Sequence, residues 1–270
     1  AFSCTKERSP SGWDLISSAS EITTEKLSII SPSNSLRRGE PEPKMKDDPS
    51  FLFAFWSIFC IMIDLYDIFS NHGNRMRIGI AQLNSIVGDL AGNLALAIDS
   101  YEQLIGQGVD LVVYPELFLC GYPPRDLLLK ENFGRDLLDT LKVFASATGP
   151  TPAIIGFAEA NERSQIQPFY NAAAWCEMGE VVQTFHKRLL PTYDVFDEAR
   201  YFASGKKDFI KEHKGKKIAV TICEDIWNIQ QKDYDSDPVE EIALLQPDLL
   251  LNLSASPWHL RKDQQRIELL

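Results

Sequence analysis

Four stretches of this chain, "VDLVVYPE" (109–116), "PAIIGFAEA" (152–160), "KKIAVTICE" (216–224) and "PDLLLNLSAS" (247–256), are apolar almost throughout rather than at every second residue. A strand exposed on one face alternates polar and apolar side chains, so unbroken apolar runs of strand length require a sheet covered on both faces. Between them stands "NLALAIDSYEQLIGQG" (93–108), with apolar residues at helical spacing and a glycine at its end. "MRIGIAQL" (76–83) opens the series as a further strand, and "NAAAWCEMGEVVQTFHK" (171–187) reads as a hairpin turning at "EMGE". Strands of this kind with helical stretches between them predict an α/β protein.

The 270 residues are 44% apolar, enough for a substantial core. A net charge of −11 argues against general affinity for nucleic acid or anionic membrane. The five cysteines (Cys4, Cys60, Cys120, Cys176 and Cys223) are odd in number and widely spaced, with no CxxC pair. Neither a disulfide framework nor a zinc site is expected, and a reducing compartment fits better. The four histidines fall in no HExxH pattern, and no metal site is expected.

Residues 1–75 differ in character. Positions 1–50 are rich in Ser, Pro and charge without periodicity and read as disordered. The run "FLFAFWSIFCIMIDLYDIF" (51–69) loses its charge-free character at Asp64, short of the about 20 apolar residues that span a bilayer. This segment reads either as a weak anchor or as upstream sequence ahead of a natural start at Met76. The domain expectation is therefore a leader over 1–75 and one catalytic domain over 76–270.

Three strand ends carry reactive groups: Glu116 in "VVYPELF", Lys187 in "TFHKRLLP" and Cys223 in "VTICEDIW". Singly, each has a plain structural explanation: a solvated loop carboxylate, a surface lysine, a small buried hydrophobe. Together they are the parts of amide cleavage through a thioester. A carboxylate takes the thiol proton, an ammonium and a backbone N–H stabilise the tetrahedral oxyanion, and the carboxylic acid protonates the leaving nitrogen. Glu224 and Asp225 follow Cys223 directly and would hinder its ionisation. A sharp turn after Cys223 would point them away from the sulfur and leave them for substrate contact or loop hydrogen bonding.

The stretches "YPELFLCGYPPRDLL", "KRLLPTYDVFDEARYF", "CEDIW" and "NLSASPWHLRKDQQR" resemble the carbon–nitrogen hydrolase (nitrilase) superfamily. Within it they resemble the glutaminase domains of glutamine-dependent NAD+ synthetases. The resemblance covers residues 76–270 and implies an αββα sandwich, incomplete at the C-terminus of this chain. It implies hydrolysis of the glutamine side-chain amide, with Glu116 as general base, Lys187 as oxyanion stabiliser and Cys223 as nucleophile. Glu198 matches a second glutamate that supports the lysine. Tyr122, Tyr193, Phe196, Glu224, Trp227 and Ser254 fall where such proteins shape the glutamine pocket, with Ser256 a weaker addition. Each of these also has a packing or capping explanation. Lys262 and Arg266, one helical turn apart, read equally as a solvated face.

The same resemblance implies a cytoplasmic homo-oligomer that needs no cofactor for amide hydrolysis. ATP and Mg2+ would belong to a C-terminal NAD+ synthetase domain, the partner that uses the ammonia. This chain contains no SGGxDS, GxxxxGK[ST] or GxGxxG segment of that kind. A stand-alone amidase acting on another small amide or carbamoyl compound is the alternative reading, and a catalytically dead scaffold is a third. Late strands of the sandwich would lie beyond "RIELL", so open sheet edges and poor stability are expected of the chain as written.

Overall fold

A computed structural model describes residues 15–16, 28–30, 59–65, 76–193, 195–205, 209–228 and 234–256, the segments before Met76 at the level of the backbone. The strands are β1 (Leu15–Ile16), β2 (Ser28–Ile30), β3 (Phe59–Leu65), β4 (Met76–Gln82), β5 (Leu111–Val113), β6 (Ala153–Ala160), β7 (Phe169–Glu177), β8 (Glu180–His186), β9 (Ile210–His213), β10 (Lys216–Ile222) and β11 (Leu249–Leu253). The helices are α1 (Leu90–Ile105), α2 (Phe133–Ser146) and α3 (Pro238–Leu244).

They form two sheets. A seven-stranded sheet has the order β2-β3-β4-β5-β6-β7-β8, and a four-stranded sheet the order β1-β11-β10-β9. Pairing is parallel for β4–β5, β5–β6 and β10–β11, and antiparallel for β6–β7, β7–β8 and β9–β10.

The side-chain alternation of each strand sorts the core into layers. Ala172, Ala174 and Cys176 of β7 join Tyr101 and Leu104 of α1 and Leu137, Leu141 and Phe144 of α2 on the outer face of the larger sheet. The intervening Ala173 and Trp175 pack, with Ile78, Leu111 and Ile154, against Ile218, Val220, Leu249 and Leu251 of the smaller sheet. On the far side of the smaller sheet, Ala219 and Leu250 meet Ile242 of α3. The layering is α–β–β–α, as expected, and it accounts for strands apolar on both faces. Each large side chain closed off in this way contributes about 1.5–3 kcal/mol.

α1 starts where Asp89 accepts the N–H of Gly92 at 2.9 Å, which satisfies one of the donors a helix start leaves open. The hairpin between β7 and β8 turns at Met178 and Gly179, both with positive φ, as the "EMGE" reading anticipates.

The sequence reads as disordered over 1–50 and as a weak anchor or upstream sequence over 51–69; the structure describes three strands there. β3, inside the apolar run 51–69, lies antiparallel along the whole of β4, and β1 lies parallel to β11. The rims of β4 and β11 present unpaired backbone groups, which an extended apolar segment can satisfy. The remainder of residues 1–75 lies outside the described residues, as do Lys262 and Arg266. Among the described residues no helix is long and apolar enough to cross a membrane.

Candidate active site

The reactive residues meet at one end of the sandwich. Glu116 lies just beyond β5, Lys187 directly after β8, Cys223 directly after β10 and Ser254 directly after β11. Strand ends are stiff and open onto loops, so side chains there are both fixed and accessible to a ligand.

Lys187 is fully buried, its Nζ 2.8 Å from Glu116 Oε1 and 2.8 Å from Glu198 Oε1. Burial works against its charge, but Glu116 and Glu198 outweigh it and hold the ammonium well above its ordinary pKa. Glu198 sits in a short 3-10 turn (Glu198–Arg200). Burial raises its pKa, and the neighbouring ammonium opposes that rise. Tyr122 donates its hydroxyl to Glu198 Oε1 at 3.1 Å.

The backbone of Glu116 rests on β6 at a point where only glycine fits. A Cβ on Gly156 would stand 2.3 Å from both Leu117 N and Pro115 O.

Cys223 opens a 3-10 turn (Cys223–Ile226) with φ +45°, in the left-handed region. Burial pushes its thiol up, Glu116 adds to the rise, and Lys187 and the Ser254 contact oppose it. Ser254 donates Oγ–H to Cys223 Sγ at 3.5 Å, and Ser256 donates its backbone N–H to Ser254 Oγ.

The turn carries the two flanking acids away from the sulfur, as anticipated. Glu224 accepts the hydroxyls of Tyr193 (3.0 Å to each oxygen) and Tyr234 (3.0 Å). Asp225 faces the backbone. Its Oδ1 takes the N–H groups of Arg188 and Leu189, and its Oδ2 that of Ile222. One carboxylate thereby fastens the chain beyond Lys187 to the turn of Cys223.

The sites read from the sequence fall into two groups. Glu116, Lys187, Glu198 and Tyr122 form one hydrogen-bonded unit, with Cys223 and Ser254 in contact beside it. Tyr193, Glu224 and Phe196 form a second, the rings of Tyr193 and Phe196 edge-on at 5.4 Å between centroids. Trp227 ends the Cys223 turn half-buried, its N–H bonded to Glu224 O at 2.8 Å. Burial drives the Cys120 and Cys176 thiols up to about 12, in keeping with packing roles.

Three participants escaped the sequence reading. Asn171 donates Nδ2–H to Glu116 Oε1 at 2.8 Å, and the Ala255 N–H donates to Glu116 Oε2 at 3.0 Å. Tyr234 is the third. For Asn171 the available signal was a lone amide at the head of the otherwise apolar "NAAAW".

Two stacked sheets flanked by helices, with Glu116, Lys187 and Cys223 gathered at their strand ends, form the arrangement expected of the carbon–nitrogen hydrolase class. Residues 77–245 match the carbon–nitrogen hydrolase family, and the chain belongs to it. The glutamine-dependent NAD(+) synthetase of Synechocystis sp. is 41% identical over 201 residues, covering 72% of this chain and 36% of that protein. The corresponding protein of Thermotoga maritima is 42% identical over 203 residues, covering 73% and 33%. The structure of glutamine-dependent NAD+ synthetase from Acinetobacter baumannii, in complex with ADP, matches with a TM-score of 0.64 at 34% identity, over 70% of this chain and 34% of that one. The chain spans about a third of the length of these relatives.

Proposed function

We propose that this chain hydrolyses the side-chain amide of glutamine through a cysteine thioester. The ammonia would go to the amidation step of NAD+ synthesis, carried out by a synthetase portion such as its relatives possess. The observation that carries the reading is the buried Glu116–Lys187–Glu198 unit beside Cys223.

In this reading the Cys223 proton passes to Glu116 and the thiolate attacks the amide carbon. The oxyanion is met by the Lys187 ammonium and by the backbone N–H that follows Cys223. Pre-placed donors of this type are worth about 10²–10³-fold in rate each. The tetrahedral intermediate then collapses, its C–N bond breaking as Glu116 returns the proton to nitrogen, and ammonia leaves. Glu116 next takes a proton from water, hydroxide attacks the thioester, and glutamate departs with the Cys223 thiol restored.

Raised phenol pKa values at Tyr122 and Tyr193, caused first by burial, keep both as donors. Glu224, held by Tyr193 and Tyr234, supplies negative charge for the substrate's α-ammonium. Phe196 and Trp227 supply apolar wall, and Ser254 and Ser256 hydroxyls for polar ends of the substrate.

The test is ammonia release from glutamine by the parent chain and by Cys223→Ala, beside asparagine and simple aliphatic amides. Glutamine-selective release lost in the variant supports the reading. Release from the simple amides but not from glutamine overturns the substrate and keeps the thioester.

A further inference from the structure

Glu116 has two oxygens in unequal surroundings. Oε1 accepts two donors, Lys187 Nζ and Asn171 Nδ2, each at 2.8 Å. Oε2 accepts the backbone N–H of Ala255 at 3.0 Å. Ala255 follows Ser254, whose hydroxyl touches Cys223 Sγ, so the donor to Oε2 is next in the chain to the residue that contacts the nucleophile.

Asn171 is completely buried near the start of β7. It shares the face of Ala173 and Trp175, which looks between the sheets. Its Nδ2 also lies 3.5 Å from Glu198 Oε2, and its backbone carbonyl takes the N–H of Lys187 at 2.8 Å. Among the described residues its Oδ1, however, has no hydrogen-bond partner. A buried carbonyl left unpaired is costly, and an alanine or valine would avoid that cost in a strand. What an apolar residue cannot do is offer neutral N–H donors to two carboxylates that share one ammonium.

We propose that Asn171 is a positioning residue. Together with Lys187 it occupies Oε1 of Glu116, so that Oε2 takes the proton from Cys223 Sγ and later returns it to the leaving nitrogen. The assignment rests on the amide-hydrolase reading above, but the proton transfer it concerns is measurable without knowing the substrate.

The experiment uses the full 270-residue chain. Alkylation of Cys223 by iodoacetamide is followed by mass spectrometry in the parent, Asn171→Ala and Asn171→Asp, with thermal unfolding recorded for each. Asn171→Ala is expected to slow alkylation at least tenfold, and to lower kcat for glutamine about 10²-fold with KM within threefold.

Asn171→Asp is nearly isosteric and guards against a simple packing loss. Glu116 and Glu198 accept or approach the Asn171 amide, Lys187 bridges the two acids, Tyr122 bonds Glu198, and the Glu159–His186 pair lies on the neighbouring strands. At neutral pH a third carboxylate there removes the donor, whereas its protonated form restores an O–H. The ratio of variant to parent alkylation is therefore expected to rise as pH falls from 8 to 5.5. A flat ratio, or one that rises with pH, overturns the assignment, as does an Asn171→Ala alkylation rate within twofold of the parent.

The two readings fail separately. A parent that alkylates in an Asn171-dependent way but releases no ammonia from glutamine sinks the substrate and leaves Asn171 in place. Glutamine turnover that ignores position 171 does the reverse.

Discussion

The Lys187 ammonium and the Glu198 carboxylate stand 2.8 Å apart with almost no access to water, and a second carboxylate, Glu116, lies at the same distance from the same nitrogen. One cation therefore compensates two buried acids. Removing it leaves both without a counter-charge, whereas removing one acid leaves a matched pair. Lys187→Met is expected to destabilise the fold by about 3–5 kcal/mol, the usual cost of stranding a buried charge. Glu198→Gln is expected to cost distinctly less. Urea denaturation of both variants checks this, and a Glu198→Gln loss equal to that of Lys187→Met would contradict the shared-cation picture.

Asp225 joins two of the reactive strand ends through three backbone N–H groups, at Arg188, Leu189 and Ile222. Burial raises its pKa from 3.8 to about 6 even though those donors oppose the rise. The folded state therefore binds this proton more tightly than the unfolded chain does. Between pH 4 and 6 the native form carries the extra proton, so the stability that Asp225 contributes falls as pH rises through that window. The change is about 3 kcal/mol at about 1.4 kcal/mol per pH unit. Urea midpoints at several pH values should slope downward in the parent relative to Asp225→Asn. Parallel lines for the two proteins would remove Asp225 as the source.

Gly156 supports Glu116 through contact between backbones, with a Cβ placed 2.3 Å from atoms of Pro115 and Leu117. Neither atom belongs to a side chain that could rotate aside, so Gly156→Ala must displace the loop carrying the carboxylate. A stability loss of about 1–3 kcal/mol is expected. Alkylation of Cys223 should fall well beyond what that loss explains. Gly179 is the control, since nothing lies within 4 Å of its Cβ position. Its positive φ penalises alanine by itself, yet Gly179→Ala should leave Cys223 alkylation unchanged.

How much of this was legible in the sequence depends on how local each signal is. Glu116 and Cys223 follow strands buried on both faces, whereas Lys187 ends a hairpin strand that is exposed over its first half, and the apolar residues just before each reactive group marked it as a strand end. The same runs pointed to sheets covered on both faces, while the α–β–β–α layering came from the family resemblance alone. Asn171 was hidden because its partners lie 55 and 27 residues away, and an amide at a strand start has many innocent explanations. Tyr234 reaches Glu224 from a polar loop whose composition says nothing of a phenol turned inward. For Asp225 loop hydrogen bonding was among the roles open to it, but its partners were not legible, because the N–H groups it serves belong mostly to another strand end. β1 and β3 depend on vacant sheet rims rather than on periodicity of their own, so a reading of local pattern passes over them.

The resting state of Cys223 gives the last prediction. Burial, reinforced by Glu116, raises its thiol pKa, and the opposing influence of Lys187 is smaller. On that balance the sulfur is expected to rest protonated at neutral pH and to ionise as Glu116 takes its proton. This differs from cysteine enzymes that store a thiolate beside a cation. The difference in absorbance at 240 nm between the parent and Cys223→Ala should therefore stay flat from pH 6 to 9. A step in that range would mean a stored thiolate, and Lys187 would then have to outweigh burial and Glu116 together. Glu116→Gln should keep the flat trace but abolish thioester formation, because the proton then has nowhere to go.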